Sequence, residues 1–402
     1  MRKNERFNEG KALGTDTKFR ITDILGNLLQ LTYSLVDTRI VGSFLGEDAL
    51  AAVGATSTLS GLIIGFLLGL SNGFAIITAQ KFGAKNIADM KKSFAMSLVI
   101  GTGISILFTI AGLLFLKPIL HFLNVPKHLV PVAKGYIAII IAGLLATFLY
   151  DACAATLRAI GDAVTPLIIL AISVALNIVG DLFFVVVLKT GVKGAAIATV
   201  LAQIIAFVIC WIYMIRKYEI LRLQKEDFKD PSPIMVKEMI SAGMSMGFMS
   251  SLVNIGTLTL QTAINKLGKD IIIAHTAARK ISEIFMIMFS VFGQTMATYC
   301  GQNMGAGKID RVKRGIWLAI VYTAIWSGLT IIASYTIGGW LVYLVTGSHN
   351  KTVILNATNY LKFDTLFYIE TTLICILRNA MQGLGDHITP LISSGLEMAG
   401  RS

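Results

Sequence analysis

"QKFGAKNIADMKK", residues 80–92, is answered 222 positions later by "QNMGAGKIDRVKR", residues 302–314. Gln80 pairs with Gln302, and Gly83 with Gly305. Two more pairs flank this one in the same order. "FLGEDALAAVGA" (44–55) lines up with "KLGKDIIIAHTA" (266–277) at the same offset, and "AIGDAVTPLI" (159–168) with "GLGDHITPLI" (383–392) at an offset of 224. Three ordered matches at one spacing make the chain two copies of a unit of about 220 residues.

What joins the motifs is oil. Of 402 residues 55% are hydrophobic and 14% charged, against ~25% charged in a soluble domain. Mean hydropathy is +0.72. Runs of ~20 apolar residues recur along the chain, as in a polytopic membrane protein. Helices are predicted near 22–44, 53–80, 93–116, 131–155, 164–188, 193–215, 239–265, 271–300, 315–337 and 352–377, with an eleventh starting near 388. The polar start, residues 1–20, lacks the pattern of a cleaved signal peptide.

Each motif follows the same helix in both copies, so the repeats are parallel and related by an axis along the membrane normal. The fold class is thus all-α, with two six-helix bundles. The expected organisation is a tail (1–20), a first bundle (21–216), a linker (217–238) and a second bundle (239–402). At an offset of 224 the second copy would end about 37 residues beyond Ser402. On that arithmetic most of helix 11 and all of helix 12 fall outside the chain, and an inactive truncated transporter is one reading.

Net charge is +12, but its placement argues for topology and against nucleic acid. With the N-terminus inside, inner segments hold 22 Lys and Arg, including Arg158 and Arg378, and outer segments hold 8. The N-terminus is therefore expected in the cytoplasm, and the protein in the plasma membrane. The four cysteines and five histidines show no metal or disulfide spacing. No enzyme motif and no cofactor is expected, and the partners are the bilayer and small molecules. A monomer is expected.

Charges inside apolar helices mark function. In "SVALNIVGDLFFVVVL" (173–188), Asn177 and Asp181 share a face at i, i+4. Helix 1 carries Asn27, Gln30, Ser34 and Asp37 on one stripe. Asp37 and Asp181 both lie about two-thirds along inward-to-outward helices, and Thr199 lies near that depth on helix 6. Carboxylate, amide and hydroxyl oxygens suit a hard cation, and two carboxylates in low dielectric suit a proton. Isolated polar contacts gluing helices are the plainer alternative. In the second copy Thr259 stands at the place of Asp37. Glu283, four residues after Arg279, and Glu370, beside Thr371 and Thr372, are the second-lobe candidates for the substrate cavity, with Gln30 and Ser34 in the first. Gly61, Gly65, Gly69 and Gly73 form a small-residue stripe for helix packing.

"LVDTRIVGSFLGEDALAAVGA", "LRAIGDAVTPLI", the Asn-x3-Asp of helix 5 and "GQNMGAGK" together resemble the multidrug and toxic compound extrusion (MATE) family over nearly the whole chain. The resemblance implies two bundles around a V-shaped cleft, and export of amphipathic or cationic drugs against Na⁺ or H⁺. It implies a cation site, occupied by Na⁺ if sodium is the coupling ion, at Asp37, Asn177, Asp181 and Thr199. Two departures stand out. The first proline is Pro118, so helix 1 has none, and Val253 stands where another branch has an acidic residue on helix 7. A flippase for a lipid-linked oligosaccharide precursor is the alternative function; it would need a cationic cavity, with Arg39, Arg279 and Lys280 as the candidates. A membrane enzyme is a third and lacks a His or metal cluster.

Overall fold

The computed structural model describes residues 29, 40, 41, 43–123, 125, 127–264, 269–346 and 350–401. Among these, apart from turns and loops, the elements are helices. A spanning segment must satisfy its backbone polar groups internally, and helices do so one by one.

The first half contains α1 (Glu47–Gly83), α2 (Ile87–Leu114), α3 (Leu116–Phe122), α4 (Val130–Ala142), α5 (Leu144–Ala159), α6 (Val164–Asp181) and α7 (Val192–Lys217). The second contains α8 (Pro233–Ile264), α9 (Lys269–Gly305), α10 (Ile309–Thr336), α11 (Gly338–Thr346), α12 (Lys351–Leu366), α13 (Tyr368–Leu384) and α14 (Ile388–Arg401). Six of the described helices are long and apolar enough to cross a membrane, and the bent α4–α5 pair makes a seventh. Expected helices 2 to 11 correspond to α1, α2, α4–α5, α6, α7, α8, α9, α10, α12–α13 and α14. Several reach further than their apolar runs: α1 continues to Gly83 and α8 begins at Pro233, inside the expected linker. Polar ends of a span sit among headgroups, where hydropathy no longer marks the boundary.

The repeat is visible in the irregularities. The helix breaks at Phe115 and Ile337 differ by the offset of 222, and those at Gly143 and Phe367 by 224. The first break of the second pair bends the chain by 43°. Gly161 and Gly385, also 224 apart, both take a positive φ, 94° and 98°. There glycine is the residue that turns without a Cβ clash. Just beyond, Asp162 Oδ1 accepts from Thr165 N at 3.1 Å, and Asp386 Oδ1 from Thr389 N at 3.1 Å. The "GDxxTP" motif is thus a turn followed by a capped helix start.

Packing follows membrane rules. On α2, Leu107 and Ile110 face outward, as do their partners Leu329 and Ile332 on α10. The inward face of α10 is small and polar: Ala319, Thr323, Ser327, Thr330 and Ser334 are buried. Such residues let helices approach closely where apolar surface supplies no drive between them. The glycine stripe of α1 divides. Added methyls at Gly69 and Gly73 would strike the backbone of α8 at Met246–Gly247 and Ala242–Gly243, whereas Gly61 faces open space. The first half of the chain therefore touches the second along the inner part of α1.

Two charges do not sit where the topology count put them. Arg378 lies inside α13, buried, and its Nη2 pairs with Glu397 at 3.0 Å and donates to Ser393 Oγ at 3.0 Å. Arg158 ends α5 and donates to Asn72 on α1 at 3.2 Å. Leaving both out gives 20 Lys and Arg in the expected inner segments against 8 in the outer ones.

Candidate functional site

α6 is apolar except along one face. Ser173, Asn177 and Asp181, each four residues apart, are all buried. That face looks at α7. Ser173 Oγ donates to the Ala202 carbonyl at 3.3 Å, and Asn177 meets Thr199 Oγ1 at 3.2 Å. The helices come this close because Gly180 faces Ala198, whose Cβ would stand 3.0 Å from a methyl added to the glycine. The protein itself supplies the surroundings that an amide and a carboxylate need inside a membrane.

One orientation of the Asn177 amide meets every neighbour with the complementary group: Nδ2 donates to Asp181 Oδ2 at 3.0 Å, and Oδ1 accepts from Thr199 N at 3.1 Å and Thr199 Oγ1 at 3.2 Å. This arrangement suits an ionised Asp181, which can only accept.

Asp181 is fully buried and ends the α-helix. From Leu182 to Val187 the backbone widens into a π-helix, with Leu188 N bonded to Phe183 O at 2.9 Å. Single π turns inside helices often mark functional sites. An apolar cluster lies one turn outward from the polar face: Ile40, Val41, Ala49, Val185, Val192 and Ala195 are packed together.

Three expected residues, Gln30, Ser34 and Asp37, lie outside the described residues. The structure does bring Asn177, Asp181 and Thr199 together. Glu283 is elsewhere, on α9, in half-exposed ion pairs with Lys280 at 3.4 Å and Arg279 at 4.0 Å. Glu370 is exposed in the first turn of α13, where the helix dipole favours an acid.

A polar cluster in the second half was not singled out as a site from sequence. Asp364 Oδ2 on α12 accepts from Ser282 Oγ at 2.7 Å and Tyr368 OH at 2.9 Å. Its components are scattered over 87 positions of sequence, and no single helix face reveals them. A small cavity between the halves is lined by Asn72, Ala155, Arg158, Met246, Gln294 and Thr298. Among the described residues no three His, Cys, Asp or Glu side chains form a metal cluster, so a cation here would be held by mixed carboxylate, amide and hydroxyl oxygens.

Known proteins place the fold. The chain is 29% identical over 390 residues to "Probable multidrug resistance protein YpnP" of Bacillus subtilis (strain 168), covering 96% of this chain and 86% of that protein. It is 26% identical to "Probable multidrug resistance protein YoeA" of the same organism, covering 88% and 79%. Among solved structures, "Crystal structure of MATE in the bent conformation" superposes with a TM-score of 0.89 at 21% identity, covering 98% of this chain and 86% of that one. The MatE family model matches residues 24–183 and 245–400, and the chain belongs to the MATE family.

Proposed function

We propose that the chain exports amphipathic, cationic small molecules in exchange for Na⁺ or H⁺, with Asp181 as the carboxylate that takes the coupling ion. The observation that carries this reading is the buried triad of Asn177, Asp181 and Thr199. By the depth matching of the sequence, Asp37 is expected at the level of Asp181 and Thr199. Asp37 is then the second carboxylate of the same site. Two carboxylates, an amide and a hydroxyl offer oxygens enough for a hard cation. For a proton, Asp181 is the group that takes it, and the Asn177 amide donates to the carboxylate while it is ionised. Filling the site removes a buried charge, which is the differential interaction that shifts one conformation toward the other. The excess of Lys and Arg on alternate connections supports an N-terminus inside; on that orientation the cation enters from the outer half and the lobes alternate about the cleft.

The test is transport of a fluorescent cationic dye into everted plasma-membrane vesicles, the direction that corresponds to export from the cell. Dissipating the coupling gradient, Na⁺ or pH, should stop export, and Asp37→Asn should do the same. Export that continues with both gradients collapsed removes the proposal.

A further inference from the structure

The inner ends of α1 and α9 meet in a contact that reads the same in both directions. A methyl on Gly83 would overlap the carbonyl oxygen of Gln302, and a methyl on Gly305 would overlap that of Gln80. The glutamine side chains then cross to the opposite half. Gln80 Nε2 donates to Gly383 O at 2.9 Å, and Gln302 Nε2 donates to Ala159 O at 2.6 Å. Ala159 and Gly383 are equivalent at the offset of 224. Residue i touches j's counterpart and j touches i's, the mark of a two-fold junction.

The chemistry of the acceptors explains the choice of glutamine. Ala159 and Gly383 lie in the last turns of α5 and α13, where carbonyls have no partner within their own helix. A neutral amide donor reaches them from the other lobe. A lysine or arginine there would add to Lys81, Lys85, Lys308 and Arg311 on the same face. Among the described residues no ion pair spans this junction. This end of the lobe contact is held by two glycine contacts and two neutral hydrogen bonds, each modest in net strength, next to the close packing of α1 on α8 at Gly69 and Gly73. Directly beyond it lies the cavity lined by Asn72, Arg158, Gln294 and Thr298.

We propose that Gln80 and Gln302 form a symmetric latch that shuts the basic face of the transporter, and that both hydrogen bonds break whenever the lobes part on that side. This rests on the alternating-access reading above and names the residues that set its inner barrier. The acceptor turns are braced differently. Ala159 follows Arg158, tied to Asn72. Gly383 follows Gln382, which donates to Ser245 Oγ at 2.8 Å and faces His387 Nδ1 at 2.9 Å.

The test is chemical access to the cavity behind the latch. Thr298→Cys is introduced into the full chain with Cys153, Cys210, Cys300 and Cys375 changed to alanine. A charged, membrane-impermeant thiosulfonate is added from either side of oriented vesicles. With Gln80→Ala and Gln302→Ala together, labelling from the basic face should rise roughly tenfold or more, and labelling from the other face should fall. Each single change should give an intermediate rate, because one of the two bonds remains. The near-isosteric pair Gln80→Glu and Gln302→Glu removes the donors without removing bulk. It should act in the same direction and serves if the alanine pair does not insert. A basic-face rate unchanged in a double variant that inserts and runs as a single species overturns the latch. Dye export separates the two proposals. If labelling rises as stated but the unmodified chain shows no gradient-driven export, the antiport reading fails and the latch stands. If export is present and labelling does not change, the latch alone fails.

Discussion

α6 and α14 open alike and then part company. Both follow a glycine with positive φ, both are capped by an aspartate that accepts from the threonine N–H three residues on, and both carry proline next. Beyond that turn, α6 buries Ser173, Asn177 and Asp181 against α7. At the place of Ser173, α14 has Glu397, tied to Arg378 on α13, whose own counterpart in the first half is Ala154. The residues that repeat build the turn, the cap and the lobe junction. The buried ion pair of Arg378 and Glu397 stands where the first half has Ala154 and Ser173. In a duplicated transporter the shared positions hold the backbone, and chemistry is to be sought where the copies differ.

The comparison can be broken most forcefully at Arg378. Its side chain is 9% exposed and that of Glu397 30%. Arg378→Ala leaves a mostly buried acid without its cation, and should lower stability by about 2–3 kcal/mol, read as a fall in thermal unfolding temperature in detergent. Adding Glu397→Ser recreates the pair of residues found in the first half and should recover most of the loss. If the double variant is no better than the single one, the pair is not an independent local feature.

Asn177→Ala is the next largest. It removes the amide that donates to Asp181 Oδ2 and should weaken the apparent affinity for the coupling cation by about tenfold, in keeping with one hydrogen bond to a charged group. The dye affinity should change much less. Equal loss of both would mean that Asn177 supports the fold of the lobe, not the ion site.

The smallest effect sharpens the contrast between the two caps. Asp162 also accepts from Tyr218 OH at 2.6 Å and Lys217 Nζ at 3.3 Å. Burial pushes its pKa up, but the hydrogen bonds from Tyr218 and Thr165 and the charge of Lys217 outweigh this and leave it below the ordinary value. Asp386 is also lowered, chiefly by hydrogen bonds from Thr389. A carboxylate with a depressed folded-state pKa stabilises above its unfolded value near ~3.9, and loses that contribution as pH falls through the folded value. Asp162→Asn should therefore cost about 1 kcal/mol near neutral pH, with a difference that fades below about pH 4. Asp386→Asn, at an exposed turn, should cost less. Identical losses at both positions would show that the extra partners of Asp162 add nothing.

Much of this was legible before any coordinates. Apolar runs and the offset motifs fix a two-lobe helical membrane fold, because period and repetition survive in a one-dimensional string. The shared face of Asn177 and Asp181 follows from four-residue spacing, and Thr199 from depth matching across a hairpin. Arg378 was misplaced because it lies only seven residues before Gly385, close enough to a loop to be counted in one. Glu397 escaped notice for want of its partner. Gln80 and Gln302 were aligned as equivalents, yet their role rests on bonds spanning 303 and 143 positions. No periodicity encodes such a contact. The cluster at Asp364 likewise depends on which faces of α9 and α12 meet.

The central claim is that the coupling ion sits in the first lobe and not in the second. The most direct measurement is gradient-driven dye export in proteoliposomes by Asp181→Asn beside Asp364→Asn. The account predicts that Asp181→Asn reduces coupled export by about a hundredfold or more, as expected when the carboxylate that must take the charge is gone. Asp364→Asn, whose carboxylate is engaged by Ser282 and Tyr368, should keep its dependence on the gradient. Coupled export that survives Asp181→Asn but is lost in Asp364→Asn would contradict the account and move the ion site to the second lobe.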